Sequence, residues 1–259
     1  MNRAAFFEAV RSPLFAGKLS ASQVSGMEAI LDEAGSRGTR LEWLTYMLAT
    51  TFLETARTMQ PIKEYGGKTY FTKMYDIKGS RPAKARELGN LTPGDGARYS
   101  GRGYVQLTGR TNYERASRNI GVDLVANPDA AMVPANAAKI MFVGMEEGWF
   151  TGKKLSDYIN DGKADYYGAR RIINGRDRAA EIATYAKQFE SALCAAGYDG
   201  KPYIPVRDYD NIARETMAEI ADKRAGTKPA TLERKPTTGN WLAGIFAKIL
   251  EALLKGGSK

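Results

Sequence analysis

Two observations predict a mainly helical protein. Apolar residues recur at helical spacing of three and four residues along most of the first 200 positions. The chain has 259 residues, of which 43% are hydrophobic and 10% aromatic, enough to bury an ordinary core as one large domain or one domain with an appendage. There is no internal repeat and no sustained heptad pattern. We therefore expect helices joined by loops around one core.

The predicted helices follow one another along the chain. The first covers residues 2–10 and is stopped by Ser12 and Pro13, and the second opens at Ser20. The third begins near Leu41 and cannot continue past Gln60, because Pro61 follows. Helical spacing returns over residues 111–119, 134–147, 155–159, 166–173 and 178–195.

Residues 61–103 differ from the rest of the chain. They are rich in glycine and proline and contain the aromatic cluster Tyr65, Tyr70, Phe71 and Tyr75. This composition predicts a long loop with a small hairpin. Because loops of that length inside a compact domain usually carry function, this segment is a candidate for part of a functional site.

The C-terminal part of the sequence divides into three segments. Residues 206–225 fit an additional amphipathic helix, and residues 226–239 contain the prolines and threonines typical of a linker. Residues 240–255 form a strongly apolar helix with a narrow polar stripe. Five of the nine net positive charges lie from residue 221 onward, which favours contact with an anionic membrane or outer-membrane lipid. Packing of that helix against the preceding domain is the alternative.

The composition excludes several kinds of chemistry. The sequence has no histidine and a single cysteine, Cys194. A Ser-His-Asp or Cys-His site, an imidazole metal site and an intramolecular disulfide are therefore impossible. We expect no metal and no organic cofactor, so that acid-base work falls to aspartate, glutamate, lysine or tyrosine.

Two glutamates are candidates for that work. Glu54 lies near the end of the third helix among apolar residues, and burial of that kind favours the protonated form of a carboxyl group. Glu64 follows ten residues later, beyond Pro61, where a loop that folds back could bring it across a groove from Glu54. Such a pair is typical of glycoside hydrolysis. The alternative for Glu54 is an ordinary solvated helix end.

A polar, glycine-containing segment runs from Tyr99 to Tyr113. Gly101 and Gly103 permit close approach of the backbone to a substrate, and Gln106, Thr108 and Asn112 are short polar groups suited to sugar hydroxyls, amides and water. A glycine-rich turn before a polar helix start is the purely structural alternative.

This segment, Tyr99-Ser-Gly-Arg-Gly-Tyr-Val-Gln-Leu-Thr108, resembles the Tyr-Tyr-Gly-Arg-Gly-x-x-Gln-Leu-[Ser/Thr] signature of family 19 glycoside hydrolases, the chitinase-like group that includes many phage endolysins. Upstream, Leu53-Glu54-Thr55 is similar to the family's His-Glu-Thr element, with leucine in place of histidine. The run from Asn174 to Arg178 is similar to the endolysin branch. The resemblance covers roughly residues 1–200, and we assign residues 1–205 to the catalytic domain.

The resemblance implies a lysozyme-like, two-lobed helical fold with a substrate groove. It implies that Glu54 is the general acid, that Glu64 is the general base, with Asp76 as a rival, and that Thr108 helps to hold the attacking water. Because Leu53 replaces the family histidine, we expect apolar surroundings alone to tune Glu54. The residues implied to bind substrate are Tyr99, Arg102, Tyr104, Gln106, Asn112, Asn174 and Arg178.

Together these features predict an endolysin that hydrolyses β-1,4 glycan strands of peptidoglycan with inversion. We expect it to be a monomer, made without a signal peptide in the host cytoplasm and active on the wall in the periplasm. A chitinase is the nearest alternative, and a non-catalytic glycan-binding or membrane-active protein is an alternative of another class. Nucleic-acid binding is not expected, because the basic excess lies in the tail without interleaved aromatic residues.

Overall fold

The structure is a computed structural model and describes residues 1–202. This part of the chain is mainly helical, as predicted. The α-helices are α1 (Arg3–Phe15), α2 (Ala21–Arg37), α3 (Leu41–Glu54), α4 (Lys68–Tyr75), α5 (Pro82–Glu87), α6 (Asp95–Arg98), α7 (Arg110–Ile120), α8 (Pro134–Glu147), α9 (Tyr166–Ala169) and α10 (Ala179–Ala195). Short 3₁₀ turns cover Pro128–Met132, Leu155–Asp157 and Arg170–Ile172.

Local capping explains where the first helices begin and end. The side chain of Asn2 accepts the N–H of Ala5 at the start of α1, and Ser20 forms a reciprocal capping box with Gln23 at the start of α2. The prediction that Pro13 stops the first helix is wrong, because α1 continues to Phe15 with Pro13 inside its last turn. The C-cap Ala16 adopts a left-handed conformation, so the helix ends one turn later than the sequence suggested.

The segment 61–103 is more ordered than the expected loop. It contains the three short helices α4, α5 and α6, which glycine and proline content had concealed. Segment 61–103 does not form the predicted small hairpin. Its two strands, β1 (Ile62–Lys63) and β2 (Arg102–Gly103), pair antiparallel, but all three helices lie between them. A second pair joins β3 (Ile159–Asn160) to β4 (Lys163–Ala164). The strand pair between β1 and β2 fixes the chain around Glu64.

The apolar side chains form two clusters of unequal size. The larger surrounds α3, which packs against α10, while α10 in turn packs against α1. Phe52 lies at its centre, with edge-on contacts to Phe15 and Phe189 at ring distances of 5.2 and 5.9 Å. The smaller cluster is built on Phe71 and Tyr75 of α4. Two cores agree with the two-lobed architecture expected from the resemblance, and α3 and α4 carry the chain into the region between them.

Three predicted C-terminal segments lie outside the described residues: the additional helix 206–225, the linker 226–239 and the apolar helix 240–255. Within residues 1–202, no helix combines the length and the apolar character needed to cross a bilayer.

Candidate active site

Glu54 is the last residue of α3 and is only 2% exposed. The alternative of a solvated helix end is therefore wrong. One of its carboxyl oxygens, Oε1, accepts a charge-assisted hydrogen bond from the guanidinium of Arg170 at 2.5 Å. No hydrogen bond to the other oxygen, Oε2, occurs within the described part of the chain, so Oε2 is the oxygen that can face a substrate.

Arg170 was not among the residues that the sequence indicated. It is 1% exposed and opens the 3₁₀ turn Arg170–Ile172, and its Nε donates to the carbonyl of Asp177 at 3.0 Å. Beside the expected apolar surroundings, Glu54 therefore has one charged partner that the sequence did not indicate, the buried guanidinium of Arg170. The available signal was a pair of arginines directly before two isoleucines, a charge in an otherwise apolar helical run.

A tight, strained turn follows Glu54. Ala56, Arg57 and Met59 all have positive φ values, between 52° and 67°, which side-chain-bearing residues seldom adopt. The hydroxyl of Thr55 accepts the N–H of Met59, and the carbonyl of Arg57 accepts the side-chain amide of Gln23 in α2. These bonds hold the turn that leads from Glu54 toward β1, and the placement of Glu64 across a groove from Glu54 stays a prediction.

Glu64 is held by donors on both of its oxygens. The hydroxyl of Tyr75 donates to Oε1 at 2.7 Å, and the backbone N–H of Gly101 donates to Oε2 at 2.9 Å. Burial raises the pKa of Glu64 above its usual value, against the opposing effect of these two donors. A side-chain carbon at Gly101 would lie 3.0 Å from Oε2 of Glu64, so the glycine admits the carboxyl group as well as leaving room for substrate.

Asp76, the rival base, has a different environment. Burial raises the pKa of Asp76, but the backbone N–H groups of Lys78, Gly94 and Gly96 outweigh it and hold the pKa below its ordinary value. These bonds pin the loop before α6 to the end of α4. The geometry therefore favours a structural role for Asp76 and leaves Glu64 as the better candidate for the base.

Gln106, Thr108 and Asn112 form one hydrogen-bonded group. The Thr108 hydroxyl donates to the carbonyl of Gln106 at 2.9 Å, and the Asn112 side chain donates to the carbonyl of Thr108 at 2.8 Å. Gln106 has a positive φ of 56°, and its side-chain amide donates to the carbonyl of Ile62 beside Glu64. All three residues are partly exposed. The structure thus brings these predicted polar residues together next to β1.

Two buried amide atoms near the carboxylates are left without partners. The side-chain oxygen of Gln106 and the side-chain nitrogen of Asn174 have no hydrogen-bond partner among residues 1–202. Oε1 of Gln106 would lie 2.8 Å from a side-chain carbon at Gly101, on the side where Glu64 sits. The backbone N–H of Asn174 donates to the carbonyl of Arg170, so Asn174 belongs to the turn that supplies the partner of Glu54. An unsatisfied buried polar atom costs about 1–3 kcal/mol, and a catalytic or binding role is one of the explanations for such an atom.

Three residues predicted to bind substrate are buried. Tyr104 is fully buried, and its hydroxyl donates to the carbonyl of Gly26. Tyr99 is 1% exposed and packs against Tyr113. Arg102 is 4% exposed and binds Asp129 as well as the backbone of the same segment. Arg102 and Tyr104 hold the backbone around Gly101, whereas Tyr99 also lines a pocket beside α4, so contact of these three residues with substrate stays a prediction.

Arg178 lies at the start of α10. Its guanidinium pairs with Glu181 at 2.6 and 2.7 Å on the surface of that helix. The arginine that contacts a candidate catalytic carboxyl group is Arg170, and a role for Arg178 in the groove stays a prediction. Among the described residues, no cluster of three or more acidic or cysteine side chains could hold a metal ion.

Comparison with known proteins agrees with this arrangement. The family model described as chitinase class I, glycoside hydrolase family 19, matches residues 23–158, more than half of the chain, including Glu54, Glu64 and the Tyr99–Thr108 segment. The chain belongs to glycoside hydrolase family 19. The predicted family and the predicted enzyme class, a glycoside hydrolase, are confirmed at this level.

Two curated plant relatives of this family 19 member match over short segments. Chitinase 8 of Oryza sativa subsp. japonica is 51% identical over 37 residues, 14% of either chain. Acidic endochitinase Q of Nicotiana tabacum is 55% identical over 38 residues, 15% of either chain. The matched segments therefore span about one seventh of the length of these relatives.

Solved structures that align with this family 19 member are bacterial chitinases. Chitinase C from Streptomyces griseus aligns at 18% identity over 79% of this chain and 96% of its own, with a TM-score of 0.49. A second structure, titled as a bacterial family 19 chitinase, aligns at 19% identity over 79% of this chain and 98% of its own, with a TM-score of 0.46.

The hydrogen bond from Tyr75 allows a pH test of Glu64 in this family 19 member. The Tyr75 hydroxyl stabilises the ionised form of Glu64, so Tyr75→Phe raises the pKa of Glu64 further. If ionised Glu64 is the base, the acidic limb of the pH profile of kcat/KM moves to higher pH. Tyr70→Phe is the matched control, since Tyr70 lies on the same helix and makes no hydrogen bond to Glu64. The assignment of Glu64 as the base would be refuted if the acidic limb stayed in place in Tyr75→Phe. It would also be refuted if the limb moved equally in Tyr70→Phe.

Proposed function

We propose that this protein hydrolyses β-1,4 glycosidic bonds of bacterial peptidoglycan with inversion of the anomeric carbon. Glu54 donates its proton to the oxygen of the leaving sugar, and Glu64 accepts a proton from the water that attacks the opposite face of the anomeric carbon. Thr108 offers a hydroxyl oxygen as acceptor for that water. One bond to the anomeric carbon breaks, one forms, and the two carboxyl groups exchange their protonation states.

The observation that carries the proposal is the different support given to two buried glutamates within the matched family region. Glu54 has one oxygen on a guanidinium and the other free, as a proton donor to a substrate oxygen requires. Glu64 has a hydroxyl and a backbone N–H on its oxygens, which stabilise the ionised form that a base requires. Burial nevertheless raises the pKa of Glu64 overall, so the assignment of acid to Glu54 and base to Glu64 follows the family resemblance of Leu53-Glu54-Thr55 together with the free oxygen of Glu54.

Peptidoglycan is proposed as the substrate on two grounds. The resemblance of the Asn174–Arg178 run is to the endolysin branch of the family, and the net charge of +9 suits an anionic envelope polymer. For residues 240–255 we propose an amphipathic helix that contacts anionic lipid. Chitin is the second candidate, favoured by the family description and by the names of the plant relatives.

One digestion experiment tests both substrates. Purified peptidoglycan and chitin are each incubated with the full chain, the new reducing-end sugar is identified by mass spectrometry, and the anomer first formed is read by proton NMR. We expect muropeptide products with inverted configuration from peptidoglycan, at a higher kcat/KM than the products from chitin. Products from chitin alone would show that chitin, and not peptidoglycan, is the substrate. Retention of configuration would refute the roles of Glu54 and Glu64 as acid and base. If neither polymer gave products, the proposed glycosidase activity would be refuted.

A further inference from the structure

A cationic pocket lies next to Glu64 but outside the residues that hold it. Its volume is about 890 Å³, it is open to solvent, and it is lined by β1, α4, the loop before α6, the start of α7 and the loop after α7. Its charged lining residues are Lys63, Lys68, Arg98 and Arg110, against Asp95 and Asp123. We define these six side chains and the space between them as the lysine pocket.

Both acidic side chains of the lysine pocket accept hydrogen bonds from within the protein. Asp95 is 3% exposed and receives two hydrogen bonds from Arg110 at 2.8 and 3.1 Å. The carboxylate of Asp123 accepts the backbone N–H groups of Val125 and Ala126. The Asp95–Arg110 pair is therefore an internal, structural pair. Arg110 thus neutralises Asp95, whereas Asp123 keeps its negative charge, so the four cations and two acids of the pocket leave a net charge of 4 − 2 = +2.

Three cations remain to act on a ligand. The guanidinium of Arg98 donates to the carbonyls of Val125 and Ala126, so its charge has no carboxylate at these contacts. The ammonium of Lys63 lies 3.8 Å from Asp129, a carboxylate that Arg102 holds at 2.7 Å. The Lys68 side chain is exposed, and no ion pair to it occurs within residues 1–202. The pocket therefore offers an excess of positive charge to an anionic group.

The pocket wall is not only charged. Phe71, Pro93 and Val125 contribute apolar surface between the cations. A ligand that fits this lining carries carboxylate groups on small apolar side chains, as a short peptide of alanine-like and acidic residues does. A neutral sugar polymer has no group that requires these cations.

The position of the lysine pocket decides how such a ligand arrives. Lys63 and Glu64 are consecutive, and side chains alternate between the two faces of an extended chain. Lys63 lines the pocket and Glu64 does not, so we place the glycan backbone at Glu64 and a branch of the glycan in the pocket. Each residue of an extended branch adds roughly 3.3 Å, so three residues span roughly 10 Å.

We propose that the lysine pocket binds the carboxylates of the peptide that branches from the muramyl sugars of peptidoglycan. The inference rests on the proposed function, because chitin carries no peptide. The pocket adds binding energy for a glycan that bears peptides and none for a bare glycan. It supplies this chain with a means of distinguishing the two polymers.

The test compares three substrates and three variants of the full chain. The substrates are intact peptidoglycan, the same glycan after amidase removal of its peptides, which retains only the lactyl carboxylates, and a chitin oligosaccharide. The first variant is the double substitution Lys63→Met/Lys68→Met. The second is Lys68→Met alone, which leaves β1 unchanged. The control is Lys73→Met, because Lys73 lies on the same helix α4 as Lys68 but outside the pocket. KM and kcat are measured for each pair.

We expect KM for intact peptidoglycan to rise about three- to tenfold in the double variant and less in Lys68→Met, as the loss of partly exposed ion pairs predicts. KM for the stripped glycan and the chitin oligosaccharide stays at the wild-type value, and Lys73→Met behaves as wild type. An unchanged KM on intact peptidoglycan, or an equal rise on the stripped glycan, overturns the pocket while leaving the proposed function standing. Failure of the wild type to cleave peptidoglycan with or without its peptides overturns both.

Discussion

Replacing Glu54 with glutamine is expected to lower kcat by about 10²- to 10⁴-fold, the usual contribution of a general acid, with little change in KM. The amide cannot donate a carboxyl proton to the leaving oxygen. Its side-chain oxygen can still accept the hydrogen bond of Arg170, so the side chain keeps its place at the end of α3. The loss is therefore one of chemistry and not of substrate binding.

The measurement is turnover on purified peptidoglycan, with thermal unfolding measured alongside. Glu42→Gln is the matched control, because Glu42 lies on the same helix but in its first turn, where it pairs with Arg40 near the surface. We expect that control to retain wild-type kcat. A Glu54→Gln protein with full activity would refute the assignment of the acid, and a loss of activity accompanied by unfolding would show a structural effect instead.

The sequence predicted most of the helical architecture for identifiable physical reasons. Helix α8 begins at Pro134 and ends at Glu147 as predicted, because proline favours the first turn and Gly148 takes the left-handed position after the last. The short helices α4 to α6 were missed, because they contain four to eight residues and lie among glycines and prolines. Helices so short have no periodicity to detect, and only tertiary packing fixes them.

The sequence predicted some residues of the candidate site better than others. Gln106, Thr108 and Asn112 lie close in sequence and form one hydrogen-bonded group beside β1, the strand that directly precedes Glu64. Tyr99, Arg102 and Tyr104 belong to the same segment but turn into the protein. Gly103 and Gln106 have positive φ values in this segment, and such a backbone conformation is not revealed by sequence spacing.

Arg170 could not be predicted, because its contact with Glu54 joins residues 116 positions apart. Nothing in the local sequence distinguishes it from Arg171, which is partly exposed. The buried ion pair also changes the physical account of Glu54. A carboxyl group surrounded only by apolar side chains has no charged partner. Glu54 instead contacts the guanidinium of Arg170, and the position of that guanidinium is fixed by its hydrogen bond to the carbonyl of Asp177.

Replacing Arg170 with methionine is expected to cost about 3–5 kcal/mol of folding free energy, because it leaves the Glu54 carboxylate buried without its partner. For a domain of this size the melting temperature falls by roughly 10 °C. Arg171→Met is the matched control, since its guanidinium reaches only the carbonyl of Gly168, at 3.5 Å. Calorimetry of both variants gives the comparison, and equal melting temperatures would refute the structural importance of the pair.

A double variant separates the unpaired charge from lost packing. In Glu54→Gln/Arg170→Met no charge remains at the pair. We therefore expect this protein to be more stable than Arg170→Met alone, and also more stable than Glu54→Gln alone, which leaves the guanidinium of Arg170 buried without its counter-charge. If the cost of Arg170→Met came from lost contacts of the arginine stem, the second substitution would recover nothing. Recovery in the double variant therefore assigns the cost to the stranded carboxylate, and it identifies Arg170 as the residue that permits an ionisable group to be buried at the end of α3.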